Sequence, residues 1–310
     1  MKAIHSIQPG SGDSVGEACS HCLALTMLSI LIIHTGWATE PEIKDFQLRP
    51  VISWEMSDQS MVPVMADSMD GPWVPALVPI TEQAGMRYAT FMNLHQQGFY
   101  KLQPGDYICE DFNNGIGDQF NCFFLRPQYE SKVTWDCSQG RLHVTGGEYP
   151  AGEPPEFAMA FRDVRVSDFH ASLEIHGWNE DLMSNHCIGF TARADRETIA
   201  SYLGCVTLRA ADHPGFAQGW IDTPSQGTIH SSWFPIDSSS KLLVVFMGIG
   251  SELNLKVYDL FDQETPLAEV SVEDTELTQG ELALWFADYS NFKEGLDVTV
   301  DNFQATYIDP

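Results

Sequence analysis

The ten residues Phe169 to Trp178, in the order Phe-His-Ala-Ser-Leu-Glu-Ile-His-Gly-Trp, constrain this chain more than any other feature. Successive side chains of an extended strand point to opposite faces. Phe169, Ala171, Leu173 and Ile175 therefore share one face, while His170, Ser172, Glu174, His176 and Trp178 share the other. A period of two belongs to a half-buried strand. One face builds a core, and the other carries residue types able to hold a polar ligand or simply to meet water.

The same habit recurs elsewhere. Gly, Pro, Thr, Val and aromatic residues come in short runs, and no long segment keeps apolar side chains at helical spacing, which predicts an all-β architecture. A first module is expected over residues 46–103, a small fibronectin-like β-sandwich. Its strands fall at 52–54, 61–65, 87–94 and 98–102, with a proline-broken edge segment at 73–79. Pro104-Gly105-Asp106 breaks the chain. Residues 107–310 then offer short strands at 141–145, 157–161, 169–178, 187–193, 202–209, 219–221, 242–247, 253–260, 282–286 and 298–307, a count that suits a two-sheet jelly roll.

The apolar run Leu23 to Ile33 is shorter than the roughly 20 residues of a membrane span. With Gly36-Trp37-Ala38 behind it, small at the −3 and −1 positions, it predicts a signal peptide over residues 1–38 and a secreted or cell-surface protein with no membrane insertion after cleavage. Asp and Glu number 43 against 16 Lys and Arg, a net charge of −27 that repels nucleic acid. Of seven cysteines, Cys19 and Cys22 leave with the signal. Cys187 with Cys205, and Cys122 with Cys137, can form disulfides or stay thiols, and the spacing of a zinc site is absent.

Short landmarks carry a resemblance. Glu110-Asp-Phe-Asn113, Gly140-Arg-Leu-His-Val-Thr-Gly146, Gly189-Phe-Thr-Ala-Arg193, Val257-Tyr-Asp-Leu260 and Asp301-Asn-Phe303 resemble a concanavalin A-like, laminin-G-like jelly roll of bacterial secreted proteins. The resemblance implies terminal strands lying side by side, two facing sheets and rim loops where sugars often bind. It implies no enzyme, because a fold hosts many functions. Trp54, the Gly-Pro-Trp73-Val-Pro segment and the closing Gly98-Phe-Tyr-Lys-Leu102 resemble a small β-module of planctomycete- and verrucomicrobia-type bacteria, with Lys101 in place of the usual Arg.

Glycan binding needs aromatic planes and a few fixed donors and acceptors. Strand alternation offers Glu174, His176 and Trp178, with Arg193 and Arg209 expected on neighbouring strands. Trp220 and Trp233, in turn-like sequence, are either sugar platforms or loop plugs, and Trp285 is expected in the core. For Ca²⁺, a hard cation that takes oxygen ligands, Glu110, Asp111 and Asp301 are the candidates; no other cofactor is expected. Glycoside hydrolysis needs two carboxyl groups across the scissile bond, and the strand pattern Glu-x-Asp-x-x-Glu that supplies them in related glucanases is missing. Nucleophile elbows, phosphate loops and His-Glu-x-x-His are absent as well. The expected function is a non-catalytic binding or surface protein whose partner is a polysaccharide or surface glycan. The alternatives are a hydrolase using loop carboxylates such as Glu148, Glu153 or Glu156 facing Glu174, and a structural module without a small ligand.

Overall fold

The structure, a computed structural model, describes residues 51–308 apart from 56–59, 67–72, 77, 79, 91–98, 117–119, 125–132, 147–156, 199, 210 and 291–293. The expected signal segment and Glu148, Glu153 and Glu156 lie outside the described residues. Among those described there is no helix. The strands are β1 (Val51–Glu55), β2 (Met61–Ala66), β3 (Val74–Pro75), β4 (Ile80–Gln83), β5 (Met86–Thr90), β6 (Phe99–Pro104) and β7 (Asp106–Glu110). There follow β8 (Phe120–Phe124), β9 (Val133–Asp136), β10 (Leu142–Gly146), β11 (Phe157–Val166), β12 (Phe169–Trp178), β13 (Asn185–Ala194), β14 (Tyr202–Arg209) and β15 (Phe216–Thr223). The last are β16 (Gly227–His230), β17 (Phe234–Pro235), β18 (Leu242–Ile249), β19 (Glu252–Asp259), β20 (Ala268–Glu273), β21 (Gly280–Asp288) and β22 (Asp297–Tyr307).

Two eight-stranded antiparallel sheets dominate. One runs β20-β19-β18-β12-β22-β10-β9 with β7 also on β22; the other runs β16-β15-β14-β13-β21-β11-β8 with β17 also on β15. The protein is all-β, a jelly-roll sandwich. The chain crosses repeatedly between the layers, so β12 and β13, consecutive in sequence, lie in different sheets.

Alternation places the core. Phe169, Ala171, Leu173 and Ile175 of β12 are fully buried and face Ile188, Phe190 and Val206 of the opposite sheet within one continuous apolar cluster. Phe246 of β18 reaches across the layer, 5.2 Å from Phe169 and stacked 6.4 Å from Phe190, ring centre to ring centre. It fits because β14 carries Gly204 opposite it: a Cβ there would sit 2.5 Å from the Phe246 ring. The terminal strands lie side by side, with Glu110 of β7 paired to Phe303 of β22. Phe112 and Phe303 bracket Phe120 at 6.3 and 6.1 Å.

Strands β1, β5 and β4 form one small sheet, and β3, β2 and β6 another. Their core is Ile52, Trp54, Ala76, Ile80 and Ala89, with Tyr107 of β7 packed against it. They lie against the outward face of the sheet that holds β12. There His170 Nδ1 donates to the Pro75 carbonyl at 3.1 Å, and desolvation lowers the imidazole pKa to about 4.

Most expected strands form, some longer at the ends. Seven short ones, β4, β7, β8, β9, β16, β17 and β20, fall in stretches the alternation argument left as connections. None of the five described cysteines forms a disulfide, so of the two readings left open the unbridged one holds for both pairs. Cys187 and Cys205 sit side by side diagonally across β13 and β14, because the register opposes Gly189, not Cys187, to Cys205. Burial, followed by the neighbouring Cys187, pushes the Cys205 thiol far up, leaving it protonated and inert.

Candidate functional site

Each strand of the β13–β14–β21 sheet has a second face, turned away from the sandwich core. On it Met159, Cys187, Leu203, Cys205, Trp220, Ala283 and Trp285 form an apolar floor of their own. Trp285 is buried as expected, but in this floor and not between the sheets. Where the floor meets the edge strands β15 and β16 there is a groove of about 380 Å³, lined by Leu203, Thr207, Arg209, Trp220, Asp222, Thr228, His230 and Tyr289.

Register brings these side chains together. Cys205 of β14 pairs with Trp220 of β15, and Trp220 pairs with His230 of β16. By the two-residue period, Thr207 and Arg209 then line up with Trp220 and Asp222 on the groove side. The hairpin turning at Gly227, whose φ of 69° favours glycine, adds Thr228 and His230. Trp220 is fixed: its Nε1 donates to Thr207 Oγ1 at 2.7 Å, and its ring meets Tyr289 edge-on at 6.2 Å. Thr228 donates to Asp222 Oδ1 at 2.6 Å, which aims the carboxylate. Arg209 is braced by Asp212 at 3.1 Å, and its buried Nε–H has no hydrogen-bond partner.

The electrostatics favour uncharged rings. Desolvation, then the Arg209 cation, hold His230 below its ordinary value against the opposing pull of Asp222, so the imidazole is neutral at pH 7 and can both donate and accept. Burial, with the neighbouring Cys187 and Cys205, pushes the Tyr289 phenol far up, which keeps it protonated. Among the described lining residues Asp222 is the one carboxylate.

The residues singled out from sequence separate into three places. Arg209 and Trp220 line the groove, and Trp233 lies just beyond it, its ring centre 5.1 Å from the Arg209 guanidinium. Glu174 and His176 lie on the outward face of the other sheet, where His176 Nε2 donates to Glu174 at 2.7 Å and Asn302 Nδ2 donates to the same oxygen at 3.0 Å. The expected juxtaposition of these two with Arg193 and Arg209 is therefore corrected: β12 neighbours β18 and β22, not β13.

The third place is the interior. A register shift between Ile175 and Gly177 turns Trp178 off the outward face and packs it against the sandwich core opposite Val298. A bulge between Thr191 and Ala194 does the same for Arg193, whose φ is +49°. Its side chain is 1% exposed and donates to the Ser167 and Leu277 carbonyls at 2.8 and 3.0 Å, with Asp168 at 3.7 Å.

The ion candidates are near one another in the sheet but committed elsewhere. Asp301 pairs with Arg141 at 3.2 Å, while Glu110 and Asp111 accept backbone N–H groups of Phe112 and Asn113. Among the described residues no group of three or more His, Cys, Asp or Glu could hold a metal.

Sequence reasoning passed over Leu203, Asp222, Thr228, His230 and Tyr289. Extending the alternation of Gly219-Trp-Ile221 by one residue reaches Asp222, and a hairpin reading of Pro224-Ser-Gln-Gly227 would have added His230. Tyr289 lies past the end of β21 and has no local signal.

No family model matches the chain, and no curated protein matches it. Solved structures do. The carbohydrate-binding module CBM66 from Bacillus subtilis is 13% identical, over 60% of this chain and 96% of that one, with a TM-score of 0.39. Lectin I from Ulex europaeus, solved with the methyl glycoside of α-L-fucose, is 12% identical over 66% and 98%, TM-score 0.45. The exoplasmic/lumenal domain of VIP36 in its Ca²⁺/Man3GlcNAc-bound form is 9% identical over 66% and 89%, TM-score 0.41.

Proposed function

We propose that this protein is an exported, non-catalytic carbohydrate-binding protein that holds a polysaccharide or surface glycan in the groove of Trp220 and Tyr289. One observation carries the reading: an aromatic wall and a set of oriented polar groups converge in a space of about 380 Å³. A sugar ring offers an apolar C–H face and a rim of hydroxyls. Trp220 and Tyr289 suit the first, while Arg209, His230 and the Asp222–Thr228 pair suit the second. Export rests on the apolar run before Ala38.

Binding without cleavage is the version the geometry supports. Hydrolysis calls for a second carboxyl group about 5–9.5 Å from the first, and Asp222 has no such companion among the described lining residues. Glu174, the carboxylate that loop residues were expected to face, belongs to the other sheet.

The test is a panel of plant, algal and bacterial polysaccharides, scored for retention of the purified protein and for released reducing ends, with and without Ca²⁺. Retention without release, weakened at least tenfold in Tyr289→Ala, is the expected result. Release of reducing ends would replace this reading with hydrolysis, and silence across the panel would leave a structural module.

A further inference from the structure

Beyond the rim of the groove, Arg209 has a second neighbour. We infer that the site continues over the Arg209 guanidinium onto the indole of Trp233, and that its ligand is a linear, neutral glycan spanning at least two sugar rings. This rests on the glycan reading of the groove, and adds chain length and charge to it.

Trp233 is unusual in being exposed and held at once. Its residue is 38% exposed, yet the ring lies 4.6 Å from His213 and 5.1 Å from the Arg209 guanidinium carbon. The segment that carries it is tied down. Ser231 N donates to the Gly219 carbonyl at 2.8 Å, Gly219 N donates to Ser231 Oγ at 3.0 Å, and Gln218 Nε2 donates to the Ser231 carbonyl at 2.8 Å. Phe234 follows, buried and paired with Ala217. An indole presented to solvent on a backbone this constrained loses little entropy when a partner stacks on it, which is how rigid aromatic anchors gain affinity.

Continuity follows from the chain. His230 lines the groove and Trp233 stands three residues later on the same pinned segment. Arg209 lines the groove with one side and meets the Trp233 ring with the other. The two aromatic surfaces, Trp220 with Tyr289 and the Trp233 indole, therefore belong to one path with Arg209 between them.

Neutrality follows from the charges along that path. Arg209 is already countered by Asp212, and Asp222 adds a further carboxylate inside the groove. A uronic or sulfated chain would meet the Asp212 and Asp222 carboxylates along with the Arg209 cation, within a protein of net charge −27. Hydroxyl groups meet no such opposition.

The experiment is calorimetric titration of the purified full-length protein with one- to six-ring ladders of neutral β-1,3-glucan, β-1,4-glucan and mannan oligosaccharides, and with a uronate ladder of the same lengths. For at least one neutral ladder, affinity should rise with ring number by about five- to tenfold beyond the single ring, the worth of one added aromatic contact. Trp233→Ala should flatten that rise while keeping single-ring affinity and the melting temperature, and Trp233→Phe should restore part of it. Tyr289→Ala should weaken every length alike. An unchanged length dependence in Trp233→Ala overturns the extended site and leaves the groove standing. Preference for the uronate ladder overturns neutrality. Absence of wild-type binding to all ladders overturns the groove reading and this inference with it.

Discussion

Two arginines, sixteen residues apart near the ends of adjacent strands, have opposite fates. Arg193 is swallowed by a bulge and spends its N–H groups on the Ser167 and Leu277 carbonyls; Arg209 stays on the groove face, braced by Asp212 and the Trp233 ring. Removing the first takes away a fully buried, packed side chain and leaves two part-buried carbonyl groups without its donors, so Arg193→Ala should cost about 3 kcal/mol of stability, read as a lowered urea midpoint. Arg193→Lys should recover little, since an ammonium cannot serve both carbonyls in a fixed plane. In the surviving folded fraction, glycan affinity should be unchanged. Arg209→Ala should reverse the pattern, leaving the urea midpoint within about 0.5 kcal/mol of wild type while lowering affinity for retained glycan at least fivefold. Sequence alone does not separate these two. Both sit at odd spacing from the core-facing apolar positions of their strands, and only the pairing of Thr191 and Ala194 with β21, far along the chain, decides that one turns inward.

At the scale of elements, what was legible is what alternation encodes. β12, β14 and β18 declare themselves because a one-residue slip would put every apolar side chain in water, and Tyr202 to Arg209 was expected with the bounds it has. What escaped depends on neighbours. β20 is the exception: it reads Ala-Glu-Val-Ser-Val-Glu, a clean alternation with its acidic side in solvent that is legible in the sequence and was passed over behind a polar turn. The face of β12 was read correctly as far as Ile175; the bulge after it, which needs β22 to exist, redirected Trp178. Sheet contact depends equally on small residues. Gly204 leaves room for the Phe246 ring, so Gly204→Ala should destabilise by about 1–3 kcal/mol through overpacking. Gly204→Ala combined with Phe246→Leu should recover part of that loss, whereas additive losses in chemical denaturation would show the two are not in contact.

Across the whole molecule, the two outward faces have different uses. One carries the groove. The other is covered in part by the first six strands, with His170 of β12 bonded to Pro75 beneath them. That contact makes stability depend on pH. The folded-state value of about 4 lies below the ordinary 6.5, so the unfolded chain binds more protons between the two. Stability is therefore whole above pH 6.5 and falls as pH drops towards 4, by on the order of 3 kcal/mol, with Lys256 adding to the cost of a second charge. Urea unfolding at pH 7, 5 and 4 should show this slope, and His170→Gln should lose it; an equal slope in the variant would assign acid sensitivity elsewhere. The groove, on the far side of the sandwich, should keep its affinity until the fold itself gives way.

The central claim is that a glycan sits on the β14–β15–β16 face. The most direct measurement is the indole N–H region of a ¹H–¹⁵N spectrum, assigned by Trp220→Phe, Trp233→Phe and Trp178→Phe, recorded while a retained neutral oligosaccharide is titrated in. The indole signals of Trp220 and Trp233 should move together in a saturable way while those of Trp178 and Trp54 stay still. Movement of Trp178 with a silent Trp220 would put the ligand near the opposite sheet and contradict the account.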